Sequence, residues 1–168
     1  FSPGDVGLVN KSFGLVATII GALFGGALMA RLGLYRALLV FGIAQMFSNL
    51  AYWALTVTPP SLVTMASAVA IENLAGGMGT AAFVALLMAL CDRRFSATQY
   101  ALLSALSAIG RVYVGPASGY MVAAMGWSQF FLVSVVLAGP GLVLLWTMRA
   151  RVQALDARQR EAESAANA

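Results

Sequence analysis

Apolar residues run along this chain in five long blocks, near residues 6–30, 37–57, 62–91, 100–124 and 128–148, separated by short breaks that, with the tail after them, hold most of the charge. Each block reaches the roughly 17–25 residues that a helix needs to cross a bilayer. Strand-type alternation of apolar and polar residues is absent, so the blocks read as helices. In hydrocarbon only helices and closed barrels satisfy the backbone. The pattern predicts an all-α membrane protein of about five transmembrane helices over residues 1–148, followed by a polar tail, 149–168.

Start signals support the blocks. Ser2-Pro3-Gly4-Asp5 sets Ser, then Pro, then an acid three residues after Ser, a capping-box pattern. Ser96-Ala97-Thr98-Gln99 repeats the form before the fourth block, and Thr58-Pro59-Pro60-Ser61 breaks the chain before the third. Gly126-Trp127-Ser128 breaks it before the fifth, with Trp127 where an interfacial anchor belongs. Gly139-Pro140-Gly141 should kink the fifth helix.

Arginine placement orients the helices. Arg31 and Arg36 follow the first block, Arg93 and Arg94 the third, and Arg149, Arg151, Arg158 and Arg160 the fifth. The breaks near 58–61 and 125–128 carry no basic residue. The positive-inside rule then puts the basic segments in the cytoplasm, the N-terminus outside and the C-terminus inside.

Composition changes the picture little. Hydrophobic residues make up 61% and charged residues 10%, against about 25% charged in a soluble domain. Lipid must solvate the excess apolar surface, since a small core cannot hide it. A formal charge of +4 does not point to nucleic acid, because the arginines sit between apolar runs and form no basic face. One cysteine, Cys91, and no histidine leave no internal disulfide, no transition-metal site and no cofactor signal. No basic n-region of a signal peptide is visible, and the first residue is Phe1 instead of methionine, which fits a fragment. The tail is rich in Arg, Glu, Gln and Ala. It is compatible with a helical extension and reads as a solvated, frayed segment.

Three charges fall inside the blocks: Lys11, Glu72 and Arg111. A charge at mid-bilayer costs about 2.5–3.5 kcal/mol on insertion scales, so such residues face a cavity or a partner. Glu72 stands about ten residues into the third block, roughly 15 Å deep at the helical rise. Arg111 is about as deep from the other side, so the two can pair or bind; Lys11 is shallower and can snorkel. Each lies on a stripe of small or polar residues at three- and four-residue steps. The first helix carries Lys11, Gly14, Thr18, Gly21 and Gly25; the fourth carries Ser104, Ser107, Arg111, Gly115 and Ser118. In the third, Glu72, Gly76 and Gly79 share a face beside Asn73, Gly77 and Thr80; the second offers Gln45, Asn49 and Tyr52. The first, third and fourth helices should line whatever is functional, and the fifth should face lipid. Gly21-x-x-x-Gly25 and Gly115-x-x-x-Gly119 suit close helix packing.

Enzyme readings fail. Pro116 stands where a rhomboid-type serine motif at Ser118-Gly119 needs glycine, and no histidine can act as base. Asp5 and Asp92 lie at helix ends and form no intramembrane pair, and no glycine-rich nucleotide loop precedes a lysine.

Gly26-Ala27-Leu28-Met29-Ala30-Arg31-Leu32-Gly33-Leu34-Tyr35-Arg36 resembles the cytoplasmic signature loop of the major facilitator superfamily, G-x-L-x-D-R-x-G-R-[KR]. Gly26, Leu28, Arg31 and Gly33 fit; Ala30 stands in place of aspartate, and Leu34 and Tyr35 in place of a basic pair. The strings from Ile71 to Met88 and from Phe95 to Pro116 resemble the AmpG-type muropeptide permeases of that superfamily. The resemblance implies that these helices correspond to helices 8–12 of a two-bundle transporter whose N-terminal transmembrane half is missing here. It implies a multi-pass protein of the bacterial inner membrane. Such permeases import N-acetylglucosaminyl-1,6-anhydro-N-acetylmuramyl peptides with protons, for cell-wall recycling and β-lactamase induction. Glu72 then becomes the proton-coupling candidate. Arg111, Lys11, Asn73, Asn49, Gln45, Ser104 and Ser107 become candidates for the substrate or an ion pair. Gly26, Arg31, Gly33 and Arg36 form the signature loop. Two other readings stay open: transport of another anionic solute such as acetyl-CoA, and a truncated, non-transporting membrane fragment. Alone, the chain should not transport, because part of the cavity wall is absent.

Overall fold

The computed structural model describes residues 7, 10–92 and 95–166, apart from the side chains of Asn10, Arg111 and several tail residues. Among these residues every regular element is helical. A π-helical turn, Asn10–Gly14, leads into α1 (Leu15–Leu32). Then come α2 (Leu34–Val57), α3 (Leu62–Leu90), α4 (Ser96–Thr147) and α5 (Arg149–Ala166). The helices α1 to α4 are long and apolar enough to cross a membrane.

The breaks are shorter than the charge pattern predicts. Between the first two helices only Gly33 is non-helical, at φ 80° and ψ 161°. A side chain rarely adopts a positive φ, so one glycine reverses the chain there. Its N–H donates to the Met29 carbonyl at 2.9 Å, which closes α1. Arg31 and Arg36 thus lie on the ends of helices, exposed, where a longer loop was expected. The expected capping box at residues 2–5 and the pair Arg93 and Arg94 lie outside the described residues. At the next break Thr58 closes α2, its backbone N–H and hydroxyl both donating to the Ala54 carbonyl, at 3.0 and 2.8 Å.

The fourth and fifth blocks together occupy the 52 residues of α4, two helices that meet at Gly126, within the expected break Gly126-Trp127-Ser128. At about 1.5 Å per residue that is far longer than a bilayer is thick. Gly126 divides it, at φ 79° and ψ 165°, and is the one non-helical residue inside it. Residues 96–125 and 127–147 are each of spanning length. Pro116 and Pro140 sit within helical backbone. The start of α4 also differs from the expected capping box. Phe95 occupies the cap position, and Ser96 is already helical. The Gln99 side chain instead reaches back and accepts the Asp92 N–H at 2.6 Å.

Glycine sets the packing of α1 on α3. A Cβ at Gly21 would collide with the Leu74 carbonyl, and one at Gly77 with the Thr18 carbonyl. At Gly25 it would stand 2.7 Å from Met78 Cα. The two backbones touch directly, as small residues permit in membranes. A small apolar core of Ala37, Phe41 and Ala82 joins the end of α1, the start of α2 and the later part of α3. The second half of α4 packs on α2 through Leu142 at Gly42 and through Phe131 stacked on Tyr52, with ring centroids 5.4 Å apart. The first half of α4 is largely exposed: Leu102, Val112 and Tyr120 show 66%, 69% and 80% of their surface. A Cβ at Gly115 or Gly119 would meet nothing within 4 Å. The expected close packing at that pair has no partner among the described residues.

The segment after the last span is a helix that folds back. Val152 in α5 is only 4% exposed, and α5 rests on α2, α3 and the end of α4. A frayed, fully solvated tail is therefore not what forms. Val152 and Leu155 give α5 one apolar face, which continues the four-residue step from Met148 at the end of α4.

These contacts predict opposite signs for neighbouring glycines. Gly25→Ala and Gly77→Ala should lower the thermal unfolding temperature in detergent, since overpacking costs about 1–3 kcal/mol. A Cβ at Gly26 or Gly79 would meet nothing within 4 Å. Gly26→Ala and Gly79→Ala should therefore hold or raise that temperature, by up to about 1 kcal/mol of helix propensity. Gly126→Ala forces a side chain into backbone space reserved for glycine and should cost about 1–3 kcal/mol in the same assay.

Candidate functional site

Adjacent residues of α3 serve two interfaces. A helix turns about 100° per residue, so Glu72 and Asn73 look toward different neighbours. Asn73 faces α1. Its Oδ1 lies 3.1 Å from the Thr18 hydroxyl, which is also 2.9 Å from the Gly14 carbonyl. A hydroxyl has one proton, so Thr18 donates to one of the two at a time. The Asn73 amide donates to its own helix at the Val69 carbonyl, 2.8 Å away. One turn on, Gly77 faces α1 as well, and its missing side chain is what lets Thr18 come close.

Glu72 faces α2. The Gln45 amide nitrogen donates to Glu72 Oε1 at 3.5 Å and to the Ser48 hydroxyl at 3.3 Å. Both are long contacts. Ser48, 1% exposed, returns a 2.8 Å hydrogen bond to the Gln45 carbonyl. Gln45 is thus the hub, since its amide has two protons to give. Gly76 stands beside it on the same face, where a Cβ would meet Gln45 Oε1 at 3.4 Å. Tyr52, two turns beyond Gln45 on α2, stacks on Phe131. Asn49 is half-buried one turn beyond Gln45. Among the described residues, every buried side-chain nitrogen or oxygen has a partner.

Of the other candidates, Lys11, Ser104 and Ser107 do not join this cluster. Lys11 is exposed, in the π-helical turn. It lies about 10 Å along the helix from Thr18 at the helical rise. Ser104 and Ser107 are half-buried on the first half of α4, and the Ser107 hydroxyl donates at 2.8 Å to the Ser104 carbonyl within its own helix. Ser118 does the same to Gly115. The backbone of Arg111 lies in α4; its side chain lies outside the described residues. Among the described side chains, the candidate cluster thus comes from α1, α2 and α3, with α2 contributing more than its sequence suggests. Ser48 is the residue that sequence reasoning passed over. Its signal was a hydroxyl three residues after Gln45, on the same face.

Of the signature loop, Gly33 is buried and makes the turn, Gly26 sits in the last two turns of α1, and Arg31 and Arg36 are exposed on either side. Helix ends also meet in a consistent sense. Leu28, Met29, Ala37 and Ala82 meet at the core, and Leu90, Leu144 and Val152 border one cavity. The end of α1, the start of α2 and the ends of α3 and α4 thus share one end of the bundle. Arg31, Arg36, Arg149, Arg151 and Arg158 all belong to that end.

The family model described as Major Facilitator Superfamily matches residues 1–167. The anhydromuropeptide permease of Escherichia coli K12 is 63% identical over 149 residues, which is 89% of this chain and 30% of that protein. A transporter named AmpG 4 from Rickettsia conorii is 38% identical over 152 residues, 90% of this chain and 37% of the relative. AmpG 1 of Rickettsia felis is 32% identical over 149 residues, 89% of this chain and 34% of its own length. The chain spans about a third of the length of these curated relatives. These likenesses agree with the resemblance carried by residues 71–88 and 95–116. With a match running over residues 1–167, the chain belongs to the Major Facilitator Superfamily, a family of transporters and not of enzymes.

Proposed function

We propose that this chain forms part of a proton-driven permease that imports anhydro-muropeptides across the bacterial inner membrane for cell-wall recycling. The observation that carries the reading is the 63% identity to the Escherichia coli permease over 149 residues. The remaining transmembrane helices of such a permease would supply the rest of the cavity wall. The helices α1 to α4, with α4 divided at Gly126, supply five crossings in this reading.

The mechanism starts from Glu72. A carboxylate within a span is costly to keep charged without a partner. Its described partner is an amide, Gln45, whose carbonyl oxygen can also accept a hydrogen bond from a protonated carboxyl. Glu72 can therefore be held in either protonation state, by amide N–H when charged and by amide C=O when neutral. Protonation would change which contacts hold α3 against α2. A ligand shifts a conformational equilibrium only through such a difference between states. Arg111 and Lys11 are the cations that would receive the substrate's carboxylates, or Glu72 in turn. Asn73, Asn49, Ser104 and Ser107 would supply neutral hydrogen bonds to sugar or peptide.

Replacing the corresponding segment of the Escherichia coli permease by this chain gives the test. Vesicles carrying the graft should take up labelled anhydro-muropeptide when a proton gradient is imposed, and unlabelled muropeptide should compete. Competition by acetyl-CoA instead would move the substrate to another anionic solute. Failure of a well-inserted graft to transport would favour the non-transporting reading. In an active graft, Glu72→Gln should cut the gradient-driven component roughly ten-fold, within the range of coupling energies seen between linked sites. Unchanged gradient dependence would remove Glu72 from the coupling.

The proposed sidedness, with the arginine-rich end in the cytoplasm, is tested by labelling. Single cysteines at Pro59 and Ser128, in a background with Cys91 replaced by Ser, should react in intact cells with an impermeant maleimide. Cysteines at Arg36 and Ala154 should react only after the membrane is opened.

A further inference from the structure

The fold-back of α5 creates a second feature, remote from the Glu72 cluster. Between α5, the end of α3 and the end of α4 lies a cavity of about 850 Å³. Its walls are apolar, with Leu86 and Leu90 from α3, Leu144 from α4 and Val152 from α5. Two arginines of α5, Arg151 and Arg158, complete it. They are seven residues apart, two helical turns, and so stand on one side of α5. Both are exposed, so their guanidinium groups are open to a ligand.

The cavity lies where a span ends. Trp146 is 58% exposed, and the Arg149 guanidinium sits 5.8 Å from its ring centroid. An exposed tryptophan with a cation over it is the pairing expected at the level of lipid headgroups. A ligand of this site must therefore be apolar over most of its length and anionic at one end, and must arrive from within the membrane. We infer that this cavity is a binding site for one anionic phospholipid, its acyl chain against Leu86, Leu90 and Leu144 and its phosphate held by Arg151 and Arg158. The charge of the two arginines selects against zwitterionic lipid, and the apolar walls select against a free phosphate. The site would pin α5 to the bundle, since the lipid bridges α3 and α5. It rests on the membrane reading and not on the identity of the transported solute.

The test uses the whole chain in mild detergent, read by native mass spectrometry and thermal unfolding. Phosphatidylglycerol should be retained in preference to phosphatidylcholine, and should raise the unfolding temperature. Arg151→Gln and Arg158→Gln should each weaken retention roughly five-fold, the share of one basic residue near an anionic lipid surface. Leu86→Trp, which fills the cavity with both arginines intact, should weaken it as well. If Leu86→Trp does not fold, the two surface arginine variants decide alone. Retention of phosphatidylglycerol that is equal to that of phosphatidylcholine, or unchanged in the arginine variants, overturns the site. Equal protection by soluble glycerol phosphate overturns the lipid in favour of a simple anion. A concentration-dependent dimer that is lost in the arginine variants overturns it in favour of a second copy of the chain. None of these readouts involves transport, so a failed graft and a failed lipid site are separate results.

Discussion

The contact of α1 with α3, backbone against backbone, is the constraint from which the rest of this bundle follows. In lipid there is no hydrophobic drive to bring helices together, so close approach must supply the attraction. Gly21, Gly25 and Gly77 remove the side chains that would hold the two helices apart. The same approach brings Thr18 to Asn73, because a hydroxyl and an amide reach each other only when the backbones are near. Polar side chains are thus held at that depth by a packing decision made at glycine.

From that seam the other helices take their places. The start of α2 closes over the end of α1 through the turn at Gly33, and Phe41 completes the core with Ala37 and Ala82. This sets the face of α2 that carries Gln45 and Ser48 against Glu72. The second half of α4 then leans on α2, with Tyr52 stacked on Phe131. The polar cluster and the aromatic contact are therefore consecutive layers on α2. The first half of α4 takes no comparable part and is largely exposed.

Much of this was legible in the sequence because lipid punishes charge so consistently. Block lengths and arginine positions located the helices to within a few residues over 34–57 and 62–90, and the family followed from long strings such as residues 71–88. The glycine stripe at Gly21 and Gly25 was read as close packing, and it packs closely. What escaped has a physical cause in each case. The turn at Gly33 is shorter than its charges suggest, because a single glycine with positive φ does the work of a loop. The break at Gly126 was read from Gly126-Trp127-Ser128 and falls there, but the absence of any longer loop around it was not. The fold-back of α5 depends on Val152 and Leu155, two apolar residues in a polar stretch, and no local pattern says whether such a face finds a partner. Pairing between Glu72 and Gln45 needed the rotation of α2 about its own axis, which one-dimensional spacing does not fix.

Because Glu72 and Gly76 belong to one interface of α3 while Asn73 and Gly77 belong to the other, this helix has no rotational slack. An insertion or deletion of one residue before Glu72 would turn everything beyond it by about 100°, presenting each side chain to the wrong neighbour. Substitutions on α3 can be absorbed one interface at a time, whereas a shift of its frame is felt at both simultaneously. The exposed first half of α4 carries no such double commitment within this chain. Over evolutionary time α3 should therefore keep its length while its partners drift, and variation in length between related proteins should collect at the helix junctions.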